Sequence, residues 1–182
     1  MKTNSVSAAY NCSILSWNEF PDYDICWTDP PWEQKALNMF QTMMRKHTGQ
    51  IQDDKIETLI EHLAKLTNKN KPVFIEYSVK GYELVLNIMV NAGHRHKETI
   101  ITRQQNDKPF VILSFNNDYV FPRDLKGFSN IKHAIEVFQP KAIFDPFAGE
   151  GQTARTVINC GVSYIGSEPN THRYSKLKLV TG

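Results

Sequence analysis

With 182 residues, 41% of them hydrophobic, the chain can bury one well-packed core and is too short for two ordinary domains. Its 21 Lys and Arg against 19 Asp and Glu leave a net charge of +2. That balance is compatible with nucleic acid and excludes a dedicated basic protein that binds it by charge alone.

In chain order, the apolar run Ile25, Cys26, Trp27 reads as a strand leading into Asp29, Pro30 and Pro31. Prolines cannot donate ladder hydrogen bonds, so Asp29 to Trp32 is expected in a loop at the strand's C-terminal edge. Helices are predicted over 34–46 and 55–66, the second with Ile56, Leu59, Ile60, Leu63 and Leu66 at amphipathic spacing, and 48–54 between them is a polar loop. Residues 72–77 suit a buried strand and 82–92 a helix that Gly93 terminates. Strand, helix, strand, helix implies a parallel sheet. Residues 98–103 and 110–115, joined by turn-like 104–109, predict a β-hairpin at one edge. A polar stretch over 116–127 precedes a helix over 130–138, on which Ile131, Ala134, Ile135 and Phe138 share a face. A strand over 141–144, a helix over 152–159 closed by Gly161, and a strand over 162–166 ending at Glu168 form a βαβ unit, and 171–180 suit one more helix.

Cys12, Cys26 and Cys160 are too dispersed for a disulfide framework or a paired metal site and read as reduced, partly buried thiols. No apolar run approaches the roughly 20 residues of a membrane-spanning helix, and 1–7 lack the apolar region of a secretory signal. The expectation is a soluble, cytoplasmic protein.

Two short motifs carry the chemistry. Asp145, Pro146, Phe147, Ala148, Gly149, Glu150, Gly151 is a glycine-rich turn between a strand and a helix, where backbone can approach a ligand closely and helix N–H groups are free. Glu168, at the end of the following strand, stands where an acidic residue commonly meets ribose hydroxyls. Such sites lie beyond the carboxyl ends of the strands, which is also where Asp29 is placed. A nucleobase amine is a poor nucleophile, because its lone pair is delocalised into the ring. Activating it requires acceptors for its N–H groups, and the Asp29 carboxylate and the Pro30 carbonyl, its direction held by successive prolines, are suited to this. Trp32 offers a flat face on which an extruded base can lie. Either motif alone has a plain alternative: Asp-Pro-Pro is ordinary strand punctuation, and related glycine turns serve nicotinamide and flavin cofactors. Trp17 and Trp27 read as core or near-core residues, and His94 and His96 as solvated residues at a helix–strand junction rather than metal ligands. Arg45, Lys46, Lys69, Lys71, Arg95, Lys97, Arg103 and Arg123 are candidate phosphate contacts only if they cluster on the catalytic face.

In this order, the motifs resemble those of the S-adenosylmethionine-dependent amino-methyltransferases of DNA, in the circularly permuted β-type arrangement of adenine-N6 and cytosine-N4 enzymes. The segment from "FDPFAGEGQTARTVINCGVSYIGSEPN" is similar to the family's cofactor signature, and "ILSWNEFPDYDICWTDPPW" to its entry into the catalytic loop; the likeness covers nearly the whole chain. It implies a three-layer, Rossmann-like α/β fold with a mostly parallel seven-stranded sheet and an antiparallel hairpin edge, 6–11 supplying a strand that joins the C-terminal half. It also implies one domain over 1–182, with a catalytic-motif half over 1–115 and a cofactor-motif half over 128–182. Asp29, Pro30, Pro31 and Trp32 would form the catalytic loop, with Asp29 also near the cofactor. Asp145, Phe147, Ala148, Gly149 and Gly151 would line the methionine side of S-adenosyl-L-methionine, followed by Thr153, with Glu168 on the ribose and Asn11 where relatives place an acidic contact to the adenine.

The family's usual recognition region is missing, since only 116–127 stands in its place. The expected reaction is methylation of adenine N6 in DNA, without a metal, with cytosine N4 or RNA adenine as rival targets. An inactive cofactor-binding subunit of a nucleic-acid-modifying complex is the rival of another class. DNA is the expected partner, with a homodimer or a separate recognition subunit supplying the missing grip.

Overall fold

A computed structural model describes residues 7–48, 54–104 and 106–182. Alternate faces of its central strands enter two separate apolar clusters, as a sheet covered on both sides requires. Ile25 and Trp27 of β2 (Ile25–Thr28) join one cluster while Cys26 joins the other. In β3 (Val73–Tyr77), Phe74 faces one way and Val73, Ile75 and Tyr77 the other. On one side α2 (Ile56–Leu66) buries Ile56, Leu59, Ile60 and Leu63 beside Val85 and Met89 of α3 (Tyr82–Asn91). On the other lie Ile131 and Ala134 of α4 (Ser129–Phe138), Ala154 and Val157 of α5 (Gln152–Asn159) and Leu177 of α6 (Thr171–Thr181).

The remaining strands are β1 (Ala8–Tyr10), β4 (His96–Arg103), β5 (Pro109–Phe115), β6 (Ala142–Asp145) and β7 (Ser163–Ser167), and the sheet runs β1-β7-β6-β2-β3-β5-β4. β1, β7, β6, β2 and β3 pair in parallel; β5 runs antiparallel to both β3 and β4. The expected mostly parallel seven-stranded sheet with a hairpin edge is therefore present. Its elements match the sequence reading to within a few residues, with one addition, a 3-10 turn over Ile14–Ser16. The first helix, α1 (Gln34–Thr48), runs into the start of the expected 48–54 loop, of which 49–53 lie outside the described residues.

The polar stretch after β5 is a strap along the sheet edge. Arg95 pairs with Asp118 at 2.6 Å near the start of β4, and Gly127 N–H donates to the Arg103 carbonyl at its end, 2.8 Å away. Glu98 accepts from Phe121 N–H, and the Phe121 ring is buried. The strap thus covers part of an otherwise open edge strand.

Candidate active site

Four acidic residues stand at the carboxyl ends of four neighbouring strands. Glu168 follows β7, Asp145 ends β6, Asp29 follows β2, and Glu76 lies one residue before the end of β3. Neighbouring strands are spaced at roughly 4.8 Å, which puts the β7 and β2 ends roughly 10 Å apart. Between them opens a cavity of about 280 Å³ lined by Asp29 to Trp32, Pro146, Phe147, Glu168 to Asn170 and Arg173, with Ser13 and Ile14 at one side. Ala36, Leu37, Phe40, Gln41 and Met44 of α1 contribute another wall. The two motifs of the sequence do share one pocket.

Within the first motif, Trp32 Nε1 donates to Asp29 Oδ1 at 2.5 Å. The indole lies nearly parallel to Phe110, 6.3 Å between centroids, and Lys108 Nζ is 5.1 Å from its ring centre. Protein crowding raises the Asp29 pKa to about 7, against the Trp32 hydrogen bond; Asp145 adds to the rise and Arg173 opposes it. The carboxylate is nonetheless open to the cavity, so water there screens it, and upward is the direction that the geometry supports. Glu76 accepts from Trp27 Nε1 at 2.8 Å, and burial followed by the charge of Asp29 raises its pKa too.

Glu168 is 5% exposed and accepts from Asn170 N–H at 2.8 Å. Burial raises it to about 7, while Arg173 and the N–H groups of Asn170 and Gly149 favour its charged form. Asn170 also caps α6, accepting from the N–H groups of His172 and Arg173, both at 3.1 Å, and so fixes where Arg173 departs from the helix.

Of the expected cofactor residues, Asp29, Phe147 and Glu168 line the cavity, and Asn11, Asp145, Ala148, Gly149, Gly151 and Thr153 do not. Asp145 is turned inward and 1% exposed; it accepts from Thr28 Oγ1 at 2.8 Å, Phe147 N–H at 3.1 Å and Tyr164 Oη at 3.0 Å, and burial raises its pKa to about 6. It braces the strand ends and the glycine turn. Asp145→Ala is expected to lower unfolding free energy by about 1–3 kcal/mol, because three donors lose their acceptor. Denaturant unfolding of Asp145→Ala beside Asp145→Asn checks this; equal, small losses would show that the bonds matter little.

Asn11 Nδ2 donates to the Glu168 carbonyl at 2.9 Å and Oδ1 accepts from Thr171 at 3.5 Å, so its amide ties β1 to the turn before α6. Ala148 is buried, its N–H donating to the Ser167 carbonyl at 3.0 Å. Gly149 and Gly151 have φ of +58° and +86°, backbone that disfavours other residues. A Cβ on Gly151 would stand 3.1 Å from Leu177 Cδ1, so this glycine also lets α6 pack. Thr153 sits in the first turn of α5, behind the turn.

The candidate phosphate contacts divide between the two ends of the sheet: Arg103 closes β4 at the Asp29 end, and Arg45 and Lys46 lie on α1, the helix that walls the cavity. Lys71 and Arg95 lie at the opposite strand ends, paired with Asp22 and Asp118. His94 is not solvated as expected: it is 3% exposed and bonded to the Ala64 carbonyl at 2.9 Å, because the helix–strand junction folds inward over it. Trp27 is fully buried, and Trp17 packs edge-on against Phe144. Sequence reasoning missed Glu76, Lys108, Phe40 and Arg173; Glu76, an acid inside the apolar run "VFIEY", was the clearest available signal.

No family model and no curated protein sequence matches the chain. Solved structures do. M1.HpyAVI, solved both alone and in complex with S-adenosylmethionine, aligns over 95% of this chain and 97% of its own at 18% identity, with a TM-score of 0.66. TTHA0409 of Thermus thermophilus, assigned as a DNA modification methylase and also solved with S-adenosyl-L-methionine, covers 97% of this chain and 95% of its own at 13% identity and a TM-score of 0.67. The PvuII cytosine-N4-specific DNA methyltransferase gives 98%, 92%, 11% and 0.57. The likeness is one of fold: the chain has the Rossmann-like fold of these methyltransferases, built on a seven-stranded, mostly parallel sheet in which the strand bearing Asp29 precedes the strand bearing Asp145.

Proposed function

We propose that the chain is an S-adenosylmethionine-dependent DNA methyltransferase that modifies the exocyclic N6 of adenine. The observation that carries the reading is the single cavity walled by both the Asp29-to-Trp32 loop and Glu168. The fold shared with DNA methyltransferases, two of them solved with S-adenosylmethionine, supports it.

The residues present suit that cofactor. Glu168 has an acceptor oxygen at the strand end for ribose hydroxyls, and Phe147 supplies an apolar wall. Asp29 and Glu168 place negative charge around a positively charged donor. When bound, the cofactor supplies a methyl group on an electrophilic sulfonium. Asp29 accepts a hydrogen bond from the target amine, which draws its lone pair out of conjugation and aims it. Trp32 holds one Asp29 oxygen by its indole N–H, leaving the other for the amine. The Trp32 ring, backed by Phe110, is a stacking wall for an extruded base, and Lys108 beside it is positioned for a flanking phosphate. Positioning supplies much of the rate.

We assign 1–115 and 128–182 as the catalytic and cofactor halves of one domain acting in the cytoplasm. With 116–127 used as an edge strap, we expect a second copy or another subunit to supply grip on the duplex. The test is digestion of unmethylated DNA and RNA after incubation with protein and cofactor, followed by nucleoside mass spectrometry. N6-methyladenine in DNA is expected. N4-methylcytosine, or product in RNA alone, would contradict the base or polymer assignment.

A further inference from the structure

Arg173 is the one cation among the described residues lining the cavity, which also presents Asp29, Asp54 and Glu168. Its guanidinium carbon lies 4.5 Å from the centre of the Phe40 ring, a cation–π contact that uses none of its N–H donors on a protein oxygen. The nearest carboxylate contact is Nη1 to Glu168 Oε2 at 3.8 Å, too long for a hydrogen bond. Among the described residues, no side-chain hydrogen bond from Arg173 is made, although three quarters of the side chain is covered. A planar fork of donors held in place and unspent on protein acceptors is suited to a bidentate anion.

The position of that fork narrows the anion. A Cβ on Gly149 would stand 2.6 Å from Arg173 Nη2, so the glycine makes room for the guanidinium, which lies across the turn. The end of the cavity beside the glycine turn is thus cationic at Arg173, between Glu168 and the α1 wall. S-adenosylmethionine carries two cationic groups, sulfonium and ammonium, and one anion, its carboxylate. Carboxylates of the cavity match the first two, and only Arg173 matches the third.

We propose that Arg173 forms a subsite for the carboxylate of the cofactor's amino-acid end, held by the Phe40 ring and by the Asn170-capped start of α6. This rests on the S-adenosylmethionine reading above. Arg173 is a binding residue there, selecting a donor with an intact amino-acid end over one without it.

Isothermal titration of the whole chain with S-adenosylmethionine and with its decarboxylated form tests the subsite. Wild-type protein is expected to prefer the carboxylated form by on the order of tenfold or more. Arg173→Ala should lose that preference by weakening only the carboxylated ligand, and Arg173→Lys should keep part of it. Equal affinities in the wild type would overturn the proposal without any variant. So would equal weakening of both ligands by Arg173→Ala, which would mean that the side chain acts through Glu168 or Phe40. Binding of neither ligand to the wild type would instead overturn the cofactor reading, and this subsite with it.

Discussion

Asp29→Ala lowers kcat by about 10²–10³-fold, a larger loss than its weakening of cofactor binding, and the scale seen when one preorganised electrostatic partner of a developing charge is removed. In the proposed reaction the target amine gains positive character as its lone pair is committed, and Asp29 is the carboxylate that its loop presents to the cavity. Asp29→Asn keeps the shape and an acceptor oxygen but not the charge, so it should fall between alanine and wild type. The pH profile follows from the same group. Crowding raises the Asp29 pKa above its ordinary value of about 4, and only the ionised form accepts both bonds asked of it. Activity therefore rises with pH through the raised pKa and levels off above it. The midpoint in kcat/KM, which reports the free enzyme, should exceed that in kcat, because a bound sulfonium favours the carboxylate. Stability runs the other way. A raised folded-state pKa means that the proton stabilises the fold at low pH, and that contribution is lost as pH rises through the folded value. Asp29→Asn should therefore raise the melting temperature above neutral pH, with the gain fading towards pH ~4. A destabilised Asp29→Asn at alkaline pH would argue that the carboxylate serves the fold.

Glu168→Ala is expected to weaken cofactor binding by about 10–100-fold, since hydrogen bonds to a charged group contribute about 1.5–3 kcal/mol and each 1.4 kcal/mol is tenfold. The residue is nearly enclosed, with one oxygen held by the Asn170 N–H and the other on the Arg173 side of the cavity. Turnover at saturating cofactor should fall much less than for Asp29→Ala. Because burial raises Glu168 to about 7, affinity should also weaken as pH drops below that value. Titration calorimetry of Glu168→Ala and Glu168→Gln from acid to alkaline pH reads both effects. Unchanged affinity in both variants would remove Glu168 from the site.

The strands and helices were legible because their burial is local: Ile56, Leu59, Ile60 and Leu63 repeat at helical spacing, and Asp29 is followed by two prolines that end a strand. The positions of Asp29 and Glu168 at one end of the sheet followed from strand polarity alone. What the sequence did not display is direction within that end. Asp145, Ala148, Gly149 and Gly151 read as ligand contacts, yet Asp145 turns inward to three donors and Arg173 covers Gly149. Arg173 itself looks in sequence like any surface cation on a helix. Its place is set by the Asn170 cap and by a phenylalanine 133 residues away in the chain, a coincidence that only folding reveals. His94 was misread for a similar reason, since its partners Ala64 and Asn116 come from two other segments.

The most direct test of the central claim is transfer of a deuterium-labelled methyl group from S-adenosylmethionine to unmethylated DNA, followed by mass spectrometry of the digested nucleosides, for wild type and Asp29→Ala prepared side by side. The account predicts trideuterated N6-methyladenine from the wild type and a loss of at least about 10²-fold in the variant. Label transferred equally by both proteins, or no label in DNA from a wild type that binds the cofactor, would contradict it.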